Sequence, residues 1–366
     1  MQSYDLIVVG GSFAGLMAAK VAAARGLKVA LVERKRDPGE GVRTTGIIVK
    51  EAADGIDLPP SVVRKVRGVR LYPPSLAHTD HWSPGYYFLA TDTPALLRHQ
   101  AAEAERAGAT LLLGTRYAGH EETATGVHLP NLGLEGRFLI GADGAQSAVA
   151  RHAGLDRNRR FLGGLEFELA PQVSVDQRFL HCFLDSALAP GYIAWVVPGA
   201  GVTQAGLAVR HGLRPDLNAA MARFDKVFGW GKPQVLARRS GLIPVSGILQ
   251  NVSTPRAMLL GDAAGHCSPL TGGGIALAWR LGRRAGAAVA DFLDGSGAHP
   301  ASVIAKDAPG YGVKGMLRRV ADLAPPNWMW NAVFGTSLFK AVTSRIYFHA
   351  SGSTAPPPSA SRGQLE

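Results

Sequence analysis

The sequence predicts an α/β fold in three parts: a domain of parallel strands and helices, an antiparallel β-sheet domain and a helical C-terminal part. Three observations predict it. An apolar run at residues 4–9 enters a glycine-rich turn and an Ala-rich helix, and residues 161–210 alternate apolar and polar residues between Gly and Pro. Residues 257–260 form a late apolar run before a second glycine-rich turn and a long helical stretch, so the first domain is predicted to be discontinuous.

The first domain begins with the order strand, helix, strand. Residues 4–9 are a β-rich run, 16–25 are helical in composition, and 28–32 form a second strand that ends at Glu33. Further elements are predicted from the same patterns: a helix at 94–107 with Asp92 or Thr93 as N-cap, strands at 111–113 and 135–140, and helices at 275–293 and within 325–348.

The domain boundaries follow from these elements. The first domain is predicted to comprise residues 1–66, 90–155 and 256–298, and the sheet domain residues 67–89 and 156–255. A helical C-terminal segment follows at 299–350, and residues 351–366 are predicted to be a flexible tail because they are rich in Ser, Pro and Gly.

Composition excludes several classes of protein. With 46% hydrophobic and 18% charged residues the chain is globular, and no run reaches the roughly 18 apolar residues of a membrane span, so any membrane contact is expected to be peripheral. Cys182 and Cys267 form no CxxC pair, which predicts no disulfide framework and no metal site and fits a reducing cytoplasm. Asp5 before the first apolar run argues against a secretory leader.

The formal net charge of +11 is open to three interpretations: a polyanionic partner, an anionic membrane surface, or an arginine-rich proteome. The Arg residues occur as scattered pairs, such as Arg238 with Arg239, and not as one tract. The third interpretation is therefore preferred, and no nucleic-acid partner is expected.

The first chemical motif is VVGGSFAGL at residues 8–16, a GxGxxG pattern with Ser12 in place of the second glycine. It follows a strand, opens a helix and precedes an acid at the end of the next strand, which together predict a Rossmann-type dinucleotide site. Gly10 permits the tight turn, Gly15 lets helix and strand pack, and the amides at Phe13 and Ala14 would face a pyrophosphate.

Glu33 is predicted to accept hydrogen bonds from the ribose hydroxyls. Arg34, Lys35 and Arg36 follow it and would suit a 2′-phosphate, but a neighbouring carboxylate would repel that group. Arg34 is therefore predicted to cover the adenine ring.

Two further motifs complete the pattern: GADGAQSAVARHAGL at residues 141–155 and GDAAGHCSPLTGGGIALAWRLG at residues 261–282. With the N-terminal turn they resemble the three fingerprints of flavoproteins with the p-hydroxybenzoate hydroxylase fold, and most closely the geranylgeranyl reductase family. The resemblance covers most of residues 1–290 and implies a Rossmann-type FAD-binding domain below an antiparallel β-sheet substrate domain.

In such flavoproteins the acid of the GD segment, here Asp262, holds the ribityl chain, and the next helix start supplies amides to the flavin pyrimidine. A reduced flavin is an anion, so the unsatisfied amides and positive dipole end of a helix at Gly274 suit it. The predicted cofactor-binding residues are Gly10, Ser12, Phe13, Ala14, Gly15, Glu33, Arg34, Arg43, Thr44, Thr45, Gly46, Asp143, Gly261, Asp262, Pro269, Gly272, Gly273, Gly274 and Ile275.

Departures from the family pattern refine the prediction. Residues 43–46 read RTTG where the family often has Arg-Cys-Gly, so chemistry by that Cys is absent. Thr91 or Thr93 stands where an Arg often precedes the helix. The segments GDAAG and GGGI replace the GDAAH and GQGxN of aromatic hydroxylases, which favours a reductase.

A substrate motif of the reductase family, PxGYxWxFP, resembles PGYIAWVVP at residues 190–198. The predicted substrate-binding residues are Tyr192, Trp195 and Pro198, although Tyr192 sits one place early and Val197 replaces Phe. A core role for Trp195 is the alternative.

Catalytic residues are harder to predict because a flavin performs the redox chemistry itself. His266 and Cys267 in the GD turn are predicted to face the ring, with His266 as proton donor, and simple packing in the turn is the alternative for both. The aromatic residues of 325–348 are predicted to pack in the core, with a lid, a tunnel wall or an interfacial helix as alternatives.

The sequence therefore predicts a cytoplasmic FAD-dependent oxidoreductase whose alternative location is the membrane periphery. By resemblance it is a reductase that passes hydride from reduced FAD to a carbon–carbon double bond of a lipophilic, isoprenoid-like substrate, with NAD(P)H or another reductant as electron donor. The alternatives are a flavin monooxygenase or halogenase, which would use NAD(P)H and oxygen on a small aromatic substrate, and a non-catalytic flavoprotein. The sequence leaves substrate identity, electron donor and oligomeric state open.

Overall fold

The computed structural model describes residues 1–53 and 56–348. Its elements up to the fourth helix are β1 (Gln2–Val9), α1 (Phe13–Ala24), β2 (Val29–Val32), β3 (Ile47–Val49), α2 (Lys50–Ala53), β4 (Val63–Val66), β5 (Gly68–Tyr72), β6 (Thr79–Trp82), β7 (Phe88–Thr91), α3 (Thr93–Arg106), β8 (Thr110–Leu112), β9 (Glu121–Glu122), β10 (Val127–Leu129), β11 (Leu134–Gly141) and α4 (Ala148–His152). Those that follow are β12 (Phe161–Leu169), β13 (Phe179–Phe183), β14 (Ala194–Pro198), β15 (Thr203–Arg210), α5 (Leu217–Phe228), β16 (Val235–Pro244), β17 (Ala257–Leu259), α6 (Ile275–Leu293), α7 (Pro300–Asp307), α8 (Gly312–Asp322), α9 (Asn327–Val333) and α10 (Ser337–Phe348).

The first sheet has the strand order β8-β2-β1-β11-β10-β9, and β17 pairs with β11. Strands β8, β2, β1, β11 and β17 run parallel, while β10 and β9 pair antiparallel at one edge. The apolar run of β1 serves both faces of this sheet: Leu6 and Val8 pack with α1 and α6, and Ile7 and Val9 pack on the opposite side. A parallel strand buried on both faces needs such a continuous apolar run.

Helices α1 and α6 lie against each other at two glycines. A side chain at Gly282 would come within 2.8 Å of the Ala14 carbonyl oxygen, and one at Gly286 within 2.5 Å of the Ala18 carbonyl oxygen. Because both contact residues advance by four in the same direction, the two helices run parallel. Their N-termini therefore point to the same side of the sheet.

The second sheet has the order β16-β12-β15-β14-β13-β5-β6 and is antiparallel except for the parallel pair β13 and β5. One face packs on α5, where Phe224 and Phe228 belong to the same hydrophobic cluster as Val196 and Leu207. The other face turns to the loop at residues 43–46. A small third sheet, β3-β7-β4, lies beside that loop.

The structure confirms the predicted fold class. The helix predicted at 275–293 is α6, and Asp92 caps α3 by accepting a hydrogen bond of 3.1 Å from the Ala95 amide. Helix α5, strand β16 and the third sheet were not predicted. The domain boundaries stay a prediction, and the predicted tail at 351–366 lies outside the described residues.

Among the residues that the structure describes, no helix has the length and apolar character needed to cross a bilayer.

The close contact of α1 and α6 makes Gly286 sensitive to substitution. Gly286→Ala is expected to lower the free energy of unfolding by about 1–3 kcal/mol, because the new methyl group meets backbone atoms that cannot move aside. Gly315→Ala on α8 is the matched control, since no atom lies within 4 Å of the added carbon and the change should stabilise by about 0.5–1 kcal/mol. Urea denaturation of both variants checks this; equal stabilities would contradict it.

Candidate functional site

The backbone around the turn between β1 and α1 leaves no room for a side chain at Gly10 or Gly15. Gly10 has φ +110°, and a side chain there would lie 2.3 Å from the Ala142 carbonyl oxygen; one at Gly15 would lie 2.0 Å from the Gly10 carbonyl oxygen. Helix α1 begins after Ser12, whose hydroxyl makes no capping hydrogen bond. The amides of Phe13 and Ala14 find no acceptor among the described residues, so they remain available to a ligand.

Glu33 lies buried beside this turn, at the end of β2. Its carboxylate accepts hydrogen bonds from the Gly11 amide at 2.7 Å and the Lys35 amide at 2.9 Å, which hold it against the glycine turn. Arg34 next to it is exposed. The ribose role of Glu33 and the adenine role of Arg34 stay predictions.

A second uncapped helix start lies at α6. Its N-cap, Gly274, offers no side chain, and the Asp262 carboxylate lies 3.3 Å from the position that a side chain at Gly274 would take. No described residue donates a hydrogen bond to this carboxylate, and burial raises the pKa of Asp262 to about 6. Asp262 is partly buried, and a carboxylate that accepts from no described donor is available to a ligand.

The two helix starts fit one elongated dinucleotide. Gly282 lies beside Ala14, near the start of α1, and α6 begins seven residues before Gly282. At ~1.5 Å per residue, the start of α6 therefore lies about 10 Å beyond the start of α1 on the N-terminal side. Pyrophosphate at α1 and a ring system at α6 would occupy these positions, with the Asp262 carboxylate available to a hydroxyl between them. The residues present therefore fit FAD.

The loop at residues 43–46 is fixed by two threonines. The Thr91 hydroxyl donates to the Gly46 carbonyl oxygen at 2.9 Å and lies 2.9 Å from the Thr93 hydroxyl. Gly46 has φ +78°, and a side chain there would lie 2.0 Å from Thr93 Oγ1. Thr91 and Thr93, which stand where the resemblance leads one to expect an Arg, thus shape the loop.

The face of the second sheet that is turned toward this loop carries a row of residues that are paired across neighbouring strands. Arg239 pairs with Glu166, Glu166 with Gly206, and Gly206 with Trp195. Since directly opposite residues share a face, these side chains meet. The Trp195 indole lies across Gly206, at 2.8 Å from the position of a side chain there, and donates to the Glu166 carboxylate at 2.8 Å.

Glu166 and Arg239 were missed by the sequence analysis. The available signal was the alternation of strand β12, which puts Glu166 and Glu168 on the same face as the apolar Leu162 and as Gly164. A charged residue in the middle of a buried strand requires a partner.

Of the three predicted substrate residues, two come together. The rings of Tyr192 and Trp195 lie 6.5 Å apart, and the Tyr192 hydroxyl donates to the Thr271 carbonyl oxygen in the loop before α6. Pro198 is three residues beyond Trp195, so the strand pleat turns it to the other face, on which Val196 packs against α5. The structure therefore separates Pro198 from the predicted site.

Asp143 has a different environment from the one predicted. Its carboxylate accepts hydrogen bonds from the Ser147 hydroxyl at 2.6 Å and from the amides of Ala148 and Val149 at 2.6 and 3.1 Å. Both oxygens are thus engaged by the start of α4. Asp143 shapes the segment that packs on Gly10, and its role in holding the cofactor stays a prediction.

The remaining predicted residues line the segment between β17 and α6, where Gly261, Pro269, Gly272 and Gly273 lie. A side chain at Gly272 would come within 2.9 Å of the Tyr192 hydroxyl oxygen, so this glycine lets the sheet approach the loop. The loop before α6 thereby connects the start of α6 to the second sheet, β16-β12-β15-β14-β13-β5-β6, which is the predicted substrate sheet.

His266 and Cys267, the predicted catalytic pair, are both buried in this segment. Burial lowers the pKa of His266 to about 4 and raises the pKa of the Cys267 thiol, so both are neutral near pH 7. No described residue is hydrogen-bonded to His266 Nδ1. A neutral imidazole is a weak acid, and the catalytic role of either residue stays a prediction.

One group of potential metal ligands lies apart from this site, although the sequence analysis predicted none. Ligand atoms of Asp57, His99 and Glu103 lie within 4.8 Å of one another. The Lys20 ammonium group lies 3.0 Å from the Glu103 carboxylate and already balances its charge. The group therefore contributes nothing to the site described above.

Comparison with known proteins places this geometry in a family. Residues 8–68 match the family described as NAD(P)-binding Rossmann-like domain, and residues 75–301 match the family described as FAD binding domain. The chain is 31% identical over 313 residues to the digeranylgeranylglycerophospholipid reductase of Methanosarcina acetivorans, covering 79% of this chain and 76% of that protein. It is 32% identical over 309 residues to the enzyme of the same name from Methanothrix thermoacetophila, covering 79% and 78%.

Solved structures share the fold. A geranylgeranyl bacteriochlorophyll reductase-like protein from Thermoplasma acidophilum superposes with a TM-score of 0.82 at 24% identity and covers 91% of both chains. The flavin-dependent brominase Bmp2 superposes with a TM-score of 0.70 at 14% identity, covering 93% of this chain and 92% of that chain. These findings confirm the predicted FAD-dependent oxidoreductase class.

The raised pKa of Asp262 predicts a pH effect on the flavin-free protein. Its pKa is higher in the folded state than in the unfolded chain, so the stability that it contributes is present at pH 4 and lost as the pH rises through about 6. Asp262→Asn is expected to match the wild type at pH 4, to be more stable than it at pH 7.5, and to bind FAD more weakly. Urea denaturation at both pH values and FAD titration measure these effects.

The matched control is Asp143→Asn, which weakens hydrogen bonds at the start of α4 and should destabilise the protein at pH 7.5. An Asp262→Asn protein with an unchanged pH slope of stability would contradict the proposed burial of this acid.

Proposed function

The chain belongs to the geranylgeranyl reductase family of FAD-dependent oxidoreductases, and we propose that it reduces a carbon–carbon double bond of a lipophilic, isoprenoid-like substrate. The observation that carries the proposal is the wall formed by Tyr192 and Trp195, which closes on the loop before α6 through the Tyr192 hydroxyl. The names of the reductases to which the chain is about 30% identical support the same substrate class.

When bound, FAD supplies the hydride that such a reduction requires. Amides at the starts of α1 and α6 would hold it, together with Glu33, Asp262 and the loop at 43–46. The sheet face with Trp195 would exclude water and position an apolar chain, because its neighbours Leu162, Ala208 and Val245 are buried hydrophobic residues. Nothing in loop 43–46 offers a thiol, so the proton must come from another group.

The test is anaerobic. We expect flavin of the reduced holoprotein to be reoxidised when a lipid with geranylgeranyl chains is added, and the product to have gained two hydrogens, as measured by absorbance and mass spectrometry. Flavin that stays reduced with every isoprenoid offered would contradict the proposal. Oxygen uptake coupled to a hydroxylated or halogenated product would favour a monooxygenase or halogenase instead, and NADH and NADPH are compared as electron donors in the same assay.

Trp195→Phe is expected to slow this reduction about tenfold, since it removes the hydrogen bond between the indole and Glu166 while keeping an aromatic ring. Trp230→Phe is the matched control, because Trp230 stacks on Phe228 on the α5 side of the sheet. Single-turnover rates of both holoproteins check this. Equal rates for Trp195→Phe and the wild type would argue against a substrate wall at Trp195.

We also propose that a face of α8 contacts the membrane that holds the lipophilic substrate. Four large apolar side chains of this segment recur at helical spacing and are exposed: Val313, Met316, Val320 and Leu323. On the opposite side of α8, Arg318 is 1% exposed and donates to the Gly191 carbonyl oxygen, next to Tyr192. The helix thus turns Arg318 to the protein and these apolar side chains outward.

Charge supports an anionic membrane. Residues 312–348 contain two lysines and three arginines against the single acid Asp322, which pairs with Arg318 at 2.9 Å. Trp328 on α9 is also exposed, as interfacial Trp residues are. The predicted core role of the C-terminal aromatic residues holds for Phe348, which is buried, and is wrong for Trp328.

Met316→Asp together with Val320→Asp should reduce binding to vesicles of phosphatidylcholine and phosphatidylglycerol by at least about tenfold, because two charges enter the apolar interface. Val173→Asp, an exposed apolar position on the sheet domain, is the matched control and should bind like the wild type. Cosedimentation at low and high salt measures this. Equal vesicle binding by the doubly substituted protein and the wild type would contradict the assignment of this face.

A further inference from the structure

The space between loop 43–46 and the substrate sheet holds two carboxylates and one guanidinium group. Glu166 is 4% exposed, and Arg239 and Glu168 are also poorly accessible. Arg239 donates to the Glu168 carboxylate, which it contacts directly, and to the Thr44 carbonyl oxygen at 3.1 Å. Its Nη1 is 3.6 Å from Glu166 Oε1, beyond hydrogen-bond distance.

Charge balance in this cluster leaves Glu166 as the surplus acid. With all three groups ionised the buried cluster would carry a net negative charge, which is unfavourable in a medium of low polarity. The direct ion pair of Arg239 is with Glu168 and not with Glu166. Burial raises the pKa of Glu166, against the opposing effects of Thr45, Trp195 and Arg239. Of the other charged groups on the packed elements, Arg43 is exposed and lies with its Cβ against Gly241.

The hydrogen bonds of Glu166 connect it to the two elements of the proposed substrate site. Oε2 lies 2.6 Å from the Thr45 hydroxyl oxygen and accepts from the Trp195 indole at 2.8 Å, and Oε1 has no hydrogen-bond partner among the described residues. A hydroxyl accepts as readily as it donates. A neutral carboxyl can therefore donate its proton to Thr45 Oγ1, which frees the hydroxyl proton of Thr45 for another acceptor.

We propose that Glu166 is held as a neutral carboxylic acid and is the proton store of the reduction, acting through the Thr45 hydroxyl. This rests on the proposed function, because the saturated product needs a proton as well as a hydride. One carbon of the double bond receives hydride from the reduced cofactor, which is oxidised, and the other receives the Thr45 proton. Thr45 is reprotonated by Glu166, and the resulting carboxylate takes a proton from water.

Glu166 is a positioning and proton-storing residue in this scheme, and Thr45 is the group that meets the substrate. A hydroxyl with a buried acid behind it can deliver a proton at loop 43–46, which contains no thiol. A neutral acid loses this capacity as the pH rises through its pKa.

The first measurement does not depend on activity. Infrared difference spectra of the flavin-free protein at neutral pH should show the carbonyl band of a neutral carboxyl group that is absent from Glu166→Gln and fades as the pH is raised. A spectrum in which Glu166→Gln removes only a carboxylate band would overturn the proposal.

The second measurement separates proton storage from simple positioning. The amide oxygen of Glu166→Gln still accepts from Thr45 and Trp195 but has no acidic proton, whereas Glu166→Ala loses both bonds. In single turnovers with a geranylgeranyl lipid we expect Glu166→Gln to keep its FAD and KM, to lose about 10²-fold in rate, and to lose the decline of rate with rising pH. Thr45→Val should be slow, and Thr45→Ser should retain more of the rate.

A Glu166→Gln enzyme with the wild-type rate and pH profile would show that Glu166 only positions its neighbours and would overturn the proposal. Failure of the proposed function would look different. In that case the wild type reduces no isoprenoid lipid, while the infrared band still reports the protonation state of Glu166.

Discussion

The parallel contact of α1 and α6 at Gly282 and Gly286 sets the geometry of the whole site. It aligns two helix starts in one direction and offsets them by about two turns, so that both sets of free amides face the same side. The loop before α6 then meets the sheet at Tyr192, and Asp262 lies between the two helix starts. A side chain at either glycine would separate elements that lie far apart in sequence.

A second constraint is the buried cluster between loop 43–46 and the sheet. Gly206 gives the Trp195 indole room to reach Glu166, and Gln204 donates to the Thr45 carbonyl oxygen at 2.9 Å. The sheet thus holds the loop through hydrogen bonds, and these are directional. The distance and orientation of loop 43–46 relative to the sheet are therefore set by polar contacts, which hydrophobic residues surround.

Local patterns made the first domain predictable, because glycine turns, caps and helical periodicity act within a few residues. The turn at Gly10, the Asp92 cap and the bounds of α6 follow from such signals. Pairing across strands is not local: Glu166, Gly206 and Trp195 meet only once the register of three strands is known. Asp143 and Pro198 are different, because local patterns could have shown both. The partners of Asp143 lie four to six residues along the chain, and the strand pleat decides the side of Pro198.

The buried Arg318 affects how strongly α8 is bound to the rest of the protein. A helix that packs through apolar contacts resists detachment from the protein through the hydrophobic effect. Its detachment exposes apolar surface to water, which raises the heat capacity. Detaching α8 would instead return the Arg318 guanidinium ion to water, break its contact with Gly191 and break the ion pair between Asp322 and Arg160. Ionic strength, more than temperature, should therefore set how often this helix leaves the protein body and opens the approach to Tyr192.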